Sequence, residues 1–513
     1  MRNISVVLYS PPATGNIATI YPLLETYYSE FGDSPELVNW LLPYIHYNND
    51  LDSVVLHIVS ENPQILGIGR YVWNESQVDY VAKRVKEQCP NIVIVAGGPH
   101  QDILYNSTPF AGREYVDAIL EPGFYGEVFF TAILNMMTSD IPINWNQVCG
   151  AVFKGPNGVA TKSTVKFNAR DFVWPSTDYV ERHSTYFETC YKDYNNSRYM
   201  FIPYETNRGC PYSCSFCEWG IGALKKINLK PEEVVLQEIK SIVKYCSATY
   251  IVDANFGQFD RDIAFVEEFV HNAESAPKMF DIKFSGWAKN KKQNLLQIYK
   301  LLLKSDYIEF SDDKGDVIAV QDFNQDVKSI NNRFDLSFDD TLDFVQQINS
   351  LGHYPAPQLI IGLPGQTIET HWANINIILK FFNNANKVSF SLFCLLPDTP
   401  AADPEFIEKY KIKTRKLTDN QMIVTETVDF SYLDLLEMYI SMRILSNFLS
   451  NGICPSIDDL QKMVNISKKQ QFYHDLVDEY YNSKKDLSID YNVSNYVTKV
   501  MSIVLNSYKR KTK

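Results

Sequence analysis

The chain has 513 residues, 45% hydrophobic and 13% aromatic, and a formal charge of -13 from 48 Lys and Arg against 61 Asp and Glu. That length exceeds one hydrophobic core and predicts a soluble globular protein of two to four domains, with no apolar run long enough to span a bilayer. The acidic balance argues against a general nucleic-acid-binding surface.

Short apolar runs alternate with helical patterns over the first 140 residues. Strands are predicted at "ISVVLYS", too short for the apolar core of a secretory signal, and at "QILGIGRYVW", "NIVIVAGG" and "DAILEPG". Helical patterns such as "SQVDYVAKRVKEQC" separate them. Four parallel strands with intervening helices make residues 1–140 a Rossmann-like domain, in which ligands sit outside the carboxyl ends of the strands. Residues 141–195 read as a β-hairpin turning at "GPNG", followed by the extended connector "FVWPSTDYV".

A second α/β series fills residues 196–397. Its six predicted strands are "YMFIPYETN", "ATYIVDA", "DIKFSG", "DVIAVQD", "PQLIIGL" and "KVSFSLFCLL". Between them, "KPEEVVLQEIKSIVKY" opens with Pro231 and two glutamates, and "SFDDTLDFVQQINSLG" opens on Ser337 as N-cap and closes on Gly352. Such βα units curl into a barrel or open into a doubly wound sheet, and in both the ligand lies at the carboxyl ends. The lysines of "KNKK" (289–292) and "YKRKTK" (508–513) read as a solvated face and a frayed tail. Residues 398–513 read as mainly helical, with "FSYLDLLEMYISMRILSNFL" the clearest amphipathic segment.

Cys210, Cys214 and Cys217 form C-x3-C-x2-C in the loop after the first of these six strands. Nine cysteines, otherwise scattered, suit a reducing, cytoplasmic compartment as thiols or metal ligands. Three thiolates at this spacing can hold three corners of one metal centre. A structural zinc site needs a fourth Cys or His, and the nearest histidines, His183 and His271, are distant in sequence. An electron-transfer iron-sulfur cluster takes a fourth cysteine, a part open to Cys190 or Cys246 only if the fold brings one near. Three ligands alone imply an iron with an open coordination position.

The stretch "CPYSCSFC" resembles the cluster-binding motif of the radical S-adenosylmethionine (SAM) superfamily. "VDANFG", "AVQDF", "IIGLPGQT" and "LLPDTPAADPEFIEKY" resemble the branch of that superfamily with an N-terminal cobalamin domain. The resemblance implies a partial (β/α)6 barrel over roughly residues 199–396, carrying a 4Fe-4S cluster on Cys210, Cys214 and Cys217 with SAM chelated to the open iron. Phe216 matches the aromatic usual before the last cysteine. Asp253 and Asn255 stand where a carboxylate and an amide can meet the ammonium of SAM, although Asp-x-Asn-x-Gly is also ordinary turn chemistry. The Gly-Gly-Glu stretch frequent there in the superfamily is absent. Gly362 and Gly365 either let backbone approach SAM or make a tight turn before a helix capped by Thr367, and Gln321 faces the barrel interior or a neighbouring helix.

In the first domain, "YVWN" (71–74), "AGGPHQDI" (96–103) and "EPGFYGEVFF" (121–130) resemble cobalamin-binding loops. They imply corrin contacts from Trp73, Asn74, Gly97, Gly98, His100, Gly126 and Glu127. The Asp-x-His-x-x-Gly motif that supplies a cobalt ligand in many cobalamin proteins is absent, so His100 is expected only as a corrin contact.

The implied activity is methylation of an unactivated carbon. The reduced cluster cleaves SAM to methionine and a 5'-deoxyadenosyl radical, that radical takes a substrate hydrogen, and the substrate radical takes a methyl from methylcobalamin. The implied partners are a small-molecule or peptide substrate and an external electron donor such as flavodoxin or ferredoxin. Methyl transfer further requires the carboxyl edge of the first domain to face the cysteine loop, with "VWPSTDY" spanning the junction. The alternatives are a radical SAM rearrangement or oxidation without methyl transfer, a noncatalytic iron-sulfur or zinc-binding module, and a Rossmann-like layer that has lost its cofactor.

Overall fold

The computed structural model describes residues 1–13, 15–41, 50–155, 158–193, 200–276, 278–287, 290–310, 317–417 and 421–482. The centre of the "GPNG" turn, the first residue of the "KNKK" run and the basic tail lie outside them. The chain divides into two compact units, one of Met1–Ser213, Cys217–Gly286 and Lys304–Glu309, the other of Cys214–Phe216, Trp287–Leu303 and the chain from Phe310 onward.

The first unit opens with a seven-stranded sheet built from β1 (Ile4–Tyr9), β2 (Val38–Trp40), β3 (Ile65–Gly69), β4 (Val93–Gly97), β5 (Ala118–Leu120), β6 (Ala151–Lys154) and β7 (Ala160–Lys162). Their order is β2-β1-β3-β4-β5-β6-β7, parallel through β5 and antiparallel beyond it. The helices are α1 (Ile20–Phe31), α2 (Leu51–Glu61), α3 (Glu75–Gln88) and α4 (Gly126–Thr138). Alternate residues of β1 show how both faces are covered. Val6 and Leu8 pack with Tyr28 of α1 and Phe129, Phe130 and Ile133 of α4. Val7 and Tyr9 pack with Val54 and Ile58 of α2 and Val78 and Val81 of α3. A sheet buried on both faces reads as continuous apolar runs, which is why β3 is buried at every position. The order reverses between β1 and β3, so the ligand crevice of such a sheet opens there. Two features differ from the sequence reading. The three-residue β2 is too short to show an alternation, and the β6–β7 hairpin extends the first sheet instead of standing apart from it.

After the short helices α5 (Tyr179–Arg182) and α6 (Ser184–Asp193), a second parallel sheet follows in the same unit. Its strands β8 (Ile202–Tyr204), β11 (Ala248–Ile251), β12 (Phe280–Phe284) and β13 (Ile308–Glu309) take the order β13-β12-β11-β8. The connecting helices are α7 (Glu232–Tyr245) and α8 (Arg261–Ala273). α7 follows Pro231 as its N-cap residue, carries Glu232 and Glu233 in its first turn and buries Val235, Ile239 and Ile242. Between β8 and α7 the chain leaves and returns through an antiparallel pair, β9 (Asn207–Arg208) and β10 (Asn228–Leu229). The cysteine loop hangs from that neck. The loop after β1 pairs in parallel with the chain entering β8, through Asn16 and Phe201.

The second unit holds β14 (Val317–Gln321), β15 (Ala356–Ile361) and β16 (Ser389–Leu392), all parallel. Its helices are α9 (Lys292–Lys304), which ends one residue beyond the unit, α10 (Gln325–Ile330), α11 (Phe338–Asn349), α12 (Ile368–Phe381) and α13 (Pro404–Tyr410). Ser337 caps α11 and Thr367 caps α12, both by accepting a backbone N–H. The predicted series of six strands is therefore carried by two sheets, and β13, too short for any periodicity, ends the first. In the C-terminal region α13 is followed by a hairpin, β17 (Lys413–Lys416) and β18 (Met422–Glu426), and then by α14 (Tyr432–Ser450), α15 (Ile457–Ser467) and α16 (Gln471–Asn482). α14 was read as amphipathic and is instead buried around most of its circumference. Among the described residues no helix is long and apolar enough to cross a membrane.

Candidate functional site

The neck of the cysteine loop is locked from β11. Asp253 is fully buried and accepts from Thr206 N at 2.8 Å, Thr206 Oγ1 at 2.5 Å and Asn207 Nδ2 at 2.7 Å. Burial pushes its carboxyl up to about 7 against those hydrogen bonds. Its oxygens are thus occupied within the protein, whereas Asn255 donates from Nδ2 to Cys210 Sγ at 3.2 Å and leaves Oδ1 buried without a hydrogen-bond partner in the described residues. Cys210 and Cys214 are each 4% exposed and Cys217 is half-buried. Cys210 N–H donates to Leu224 O across the loop at 2.7 Å.

The middle of the loop is held by a residue the sequence did not flag. Asn331 accepts from Ser215 through both its backbone and its side-chain oxygen, each at 2.9 Å, and its own amide donates to Val327 O and to Pro364 O of the "GLPG" turn. Phe216 packs on the core of the same unit.

Among the described residues no three His, Cys, Asp or Glu side chains converge on one metal ion. A tetrahedral ion with metal–sulfur bonds of about 2.3 Å would hold its sulfurs within about 3.8 Å of one another. The three thiols are thus not set as ligands of a single ion, while separate corners of a cluster require no such convergence. Burial pushes the Cys246 thiol up to about 12, with Cys190 adding to the shift.

Loops at the carboxyl edge of the first sheet lie against the segment after Cys217, within the first unit. A Cβ on Gly123 would collide with Ile221 O, and the Ile221–Gly222 backbone passes directly over that glycine. His100 bonds Glu75 through Nε2 at 2.9 Å and faces Glu218, the residue after Cys217, at 3.8 Å. Burial would lower its imidazole, but Glu218 and Glu75 outweigh burial and raise it to about 9. Arg70 ties this loop together, bonding Glu75 at 2.5 Å, Asp79 at 3.0 Å and His100 O at 2.6 Å. Gly98 sits at φ 90°, where a Cβ would overlap the Arg70 carbonyl.

Gly97 and Gly126 differ from Gly98. A Cβ on either would meet only Leu120 Cδ2, at 3.9 Å, so their lack of a side chain leaves a shallow cradle over Leu120 that fits the flat face of a corrin. Asn74 staples the crevice, donating to Pro11 O at 2.9 Å and Gly69 O at 3.0 Å, and Trp73, 50% exposed, stacks on Tyr71 at 4.6 Å. Glu127, expected as a corrin contact, gives both oxygens to Arg208 at 2.8 and 3.0 Å. Burial raises its carboxyl, yet Arg208 by charge and hydrogen bond holds it below the usual range. Arg208 also pairs with Glu205 and lies over Tyr125, Trp174 and Phe172. The connector spans this region, with Trp174 bonded to Asn228 and Asp178 to Ser241.

In the second unit Gln321 ends β14 at a bulge with φ 65°, a strained conformation for a non-glycine residue. Its amide donates to Gln358 at 3.3 Å and its buried Oε1 has no hydrogen-bond partner in the described residues. Gly362 and Gly365 are left-handed, and their N–H groups donate to Gln366 and Asp429 at 2.7 Å each. Gln366 in turn donates to buried Asp322 at 2.6 Å. Neither polar partner was singled out by its sequence context.

A sheet whose first five strands take the order β2-β1-β3-β4-β5 leads into further parallel strands, the first of them followed by the C-x3-C-x2-C loop. No protein-family model matches the chain. It is 28% identical over 355 residues, 69% of its length, to the cobalamin-dependent radical SAM methyltransferase TokK of Streptomyces tokunonensis. The chain spans about half the length of the curated relatives it matches. Its fold is that of the radical SAM methyltransferase TsrM from Kitasatospora setae, solved with cobalamin and a [4Fe-4S] cluster, with a TM-score of 0.60 and 14% identity over 91% of this chain and 100% of that one. OxsB, a cobalamin-dependent SAM radical enzyme solved with aqua-cobalamin and SAM, matches with a TM-score of 0.58 and 11% identity over 99% of this chain and 80% of that one. The chain is thus similar in sequence to TokK and shares its fold with TsrM and OxsB.

Proposed function

We propose that the protein methylates an unactivated carbon of a small-molecule or peptide substrate as a cobalamin-dependent radical SAM enzyme. The observation that carries the reading is the packing, within one unit, of the segment that follows Cys217 (Glu218, Ile221 and Gly222) against a Rossmann-like carboxyl edge that keeps an open glycine cradle. When bound, the cluster supplies the electron that cleaves SAM, and cobalamin carries the methyl group.

Cys210, Cys214 and Cys217 would hold the cluster, and the burial of the first two keeps water from it. Gly97, Gly98, Gly126 and His100 would border the corrin, with His100 as a contact to it. Asp253 sets the loop neck, Asn331 sets its centre, and Gln321 offers an unused amide oxygen to a bound ligand. A donor such as flavodoxin or ferredoxin would deliver the electron, in the reducing cytoplasm that the scattered thiols suit.

The test is anaerobic reconstitution with iron, sulfide and hydroxocobalamin, followed by mass spectrometry of products from SAM and cell extract. The expected result is 5'-deoxyadenosine, S-adenosylhomocysteine and a product one methylene heavier. Formation of 5'-deoxyadenosine without S-adenosylhomocysteine would replace methyl transfer by rearrangement or oxidation. Zinc in place of iron would end the radical reading.

A further inference from the structure

We propose that Asn255 is a positioning residue that raises the reduction potential of the cluster through its hydrogen bond to Cys210, an inference that rests on the cluster reading above. Asn255 Nδ2 lies 3.2 Å from Cys210 Sγ, and both residues are 4% exposed. The backbone on either side of Asn255 is fixed. Asp253 is bound to Thr206 and Asn207 on the strand pair leading into Cys210, and Phe256 N–H donates to Gly286 O at 3.0 Å. The amide therefore meets the sulfur in a held geometry. An iron-bound thiolate only accepts, so the amide must present its NH2 to sulfur, because the opposite orientation would oppose two acceptors. Oδ1 has no hydrogen-bond partner in the described residues.

Reduction adds one electron, spread over the iron-sulfur core and its thiolates. A buried N–H donor binds the more negative, reduced state more strongly than the oxidised one and so shifts the couple to a higher potential. Removing the donor is expected to lower the reduced-to-oxidised ratio at a fixed potential about tenfold, equivalent to about 59 mV for a one-electron couple.

The experiment is an electron paramagnetic resonance redox titration of the full chain, anaerobically loaded with iron and sulfide, as wild type, Asn255→Leu and Asn255→Asp. The expected result is a lower midpoint in Asn255→Leu and a still lower one in Asn255→Asp, at wild-type iron and sulfide content. Midpoints equal to wild type in both variants would overturn the proposal. A measurement on the wild type alone guards against variants that fail to load: pulsed resonance of the reduced protein carrying 15N-asparagine should detect a 15N coupling to the cluster. Its absence would overturn the proposal while leaving the cluster reading intact, whereas failure of the wild type to take up any cluster would overturn both.

Discussion

Replacing Arg208 by Met removes one charge from a buried trio and leaves two carboxylates behind. The Arg208, Glu127 and Glu205 side chains are 13%, 10% and 15% exposed, and Glu127 is held by two hydrogen bonds from the guanidinium. Breaking a buried pair by deleting one partner costs about 3–5 kcal/mol, because the remaining charge is left uncompensated. The cation also lies 4.8 Å from the Tyr125 ring and 5.0 Å from that of Trp174, contacts worth about 0.5–2 kcal/mol in all that Met replaces only by packing. A loss of about 3–5 kcal/mol is expected at pH 8. The pH dependence follows from the sign of the shift. In the wild type the folded Glu127 value is depressed, so its stabilisation is present above the unfolded value, about 4.3, and is lost as pH falls through the depressed one. In Arg208→Met, burial, the largest influence, is opposed only by a backbone hydrogen bond and the Lys230 charge, and the value is expected to rise. The penalty is then small near pH 4 and grows as pH rises toward the raised folded value. Urea unfolding of the apo chain, followed by the fluorescence of Trp174 and its neighbours at pH 5 and pH 8, should show the gap between variant and wild type widening. A gap under about 1 kcal/mol at pH 8, or one equal at both pH values, would refute this account of the trio.

The remaining predictions concern the proposed cofactor loops. Cys210→Ala, Cys214→Ala and Cys217→Ala should each remove bound iron and sulfide and all cleavage of SAM, while Cys89→Ala, Cys149→Ala and Cys454→Ala keep both. Dependence on one of those three for iron uptake would contradict the assignment. Gly98→Ala should destabilise the chain, because its Cβ would overlap the Arg70 carbonyl at φ 90°, whereas Gly97→Ala should unfold like the wild type yet bind cobalamin more weakly. Thermal unfolding and equilibrium cobalamin binding separate the two, and equal cobalamin affinity in Gly97→Ala would remove the cradle argument. Bound cob(II)alamin should show no protein-imidazole nitrogen splitting in its resonance spectrum at pH 7. The stabilisation from the raised His100 value is complete below about 6.5 and is lost as pH rises through about 9.

Local signals made much of this protein legible. The cysteine spacing, the Ser337 and Thr367 caps, the glutamates opening α7 and the apolar runs of β1 and β3 each depend on residues close in the chain. A strand buried on both faces or a capped helix start is written within a few residues, and it survives whatever packs against it. The strands β2 and β13 were missed because two or three residues carry no period. The hairpin at residues 151–162 looked independent because nothing in its own sequence names the strand it joins.

Partner choice was decided by the tertiary structure. Glu127 lies beside "EPGFYG", which made it look like a cofactor contact, yet its charge is held by Arg208, 81 residues away. Asp253 and Asn255 sit two residues apart in one turn. The first spends its carboxylate on Thr206 and Asn207, and the second turns its amide to Cys210. Asn331 reaches the cysteine loop across 116 residues. A polar side chain carries its donors and acceptors in its formula, so the sequence by itself determined which residues had chemistry to offer. Burial obliges each of those groups to find a partner, and only the folding of distant strands into one neighbourhood decided whether that partner was another residue of the chain or an atom left open for a ligand.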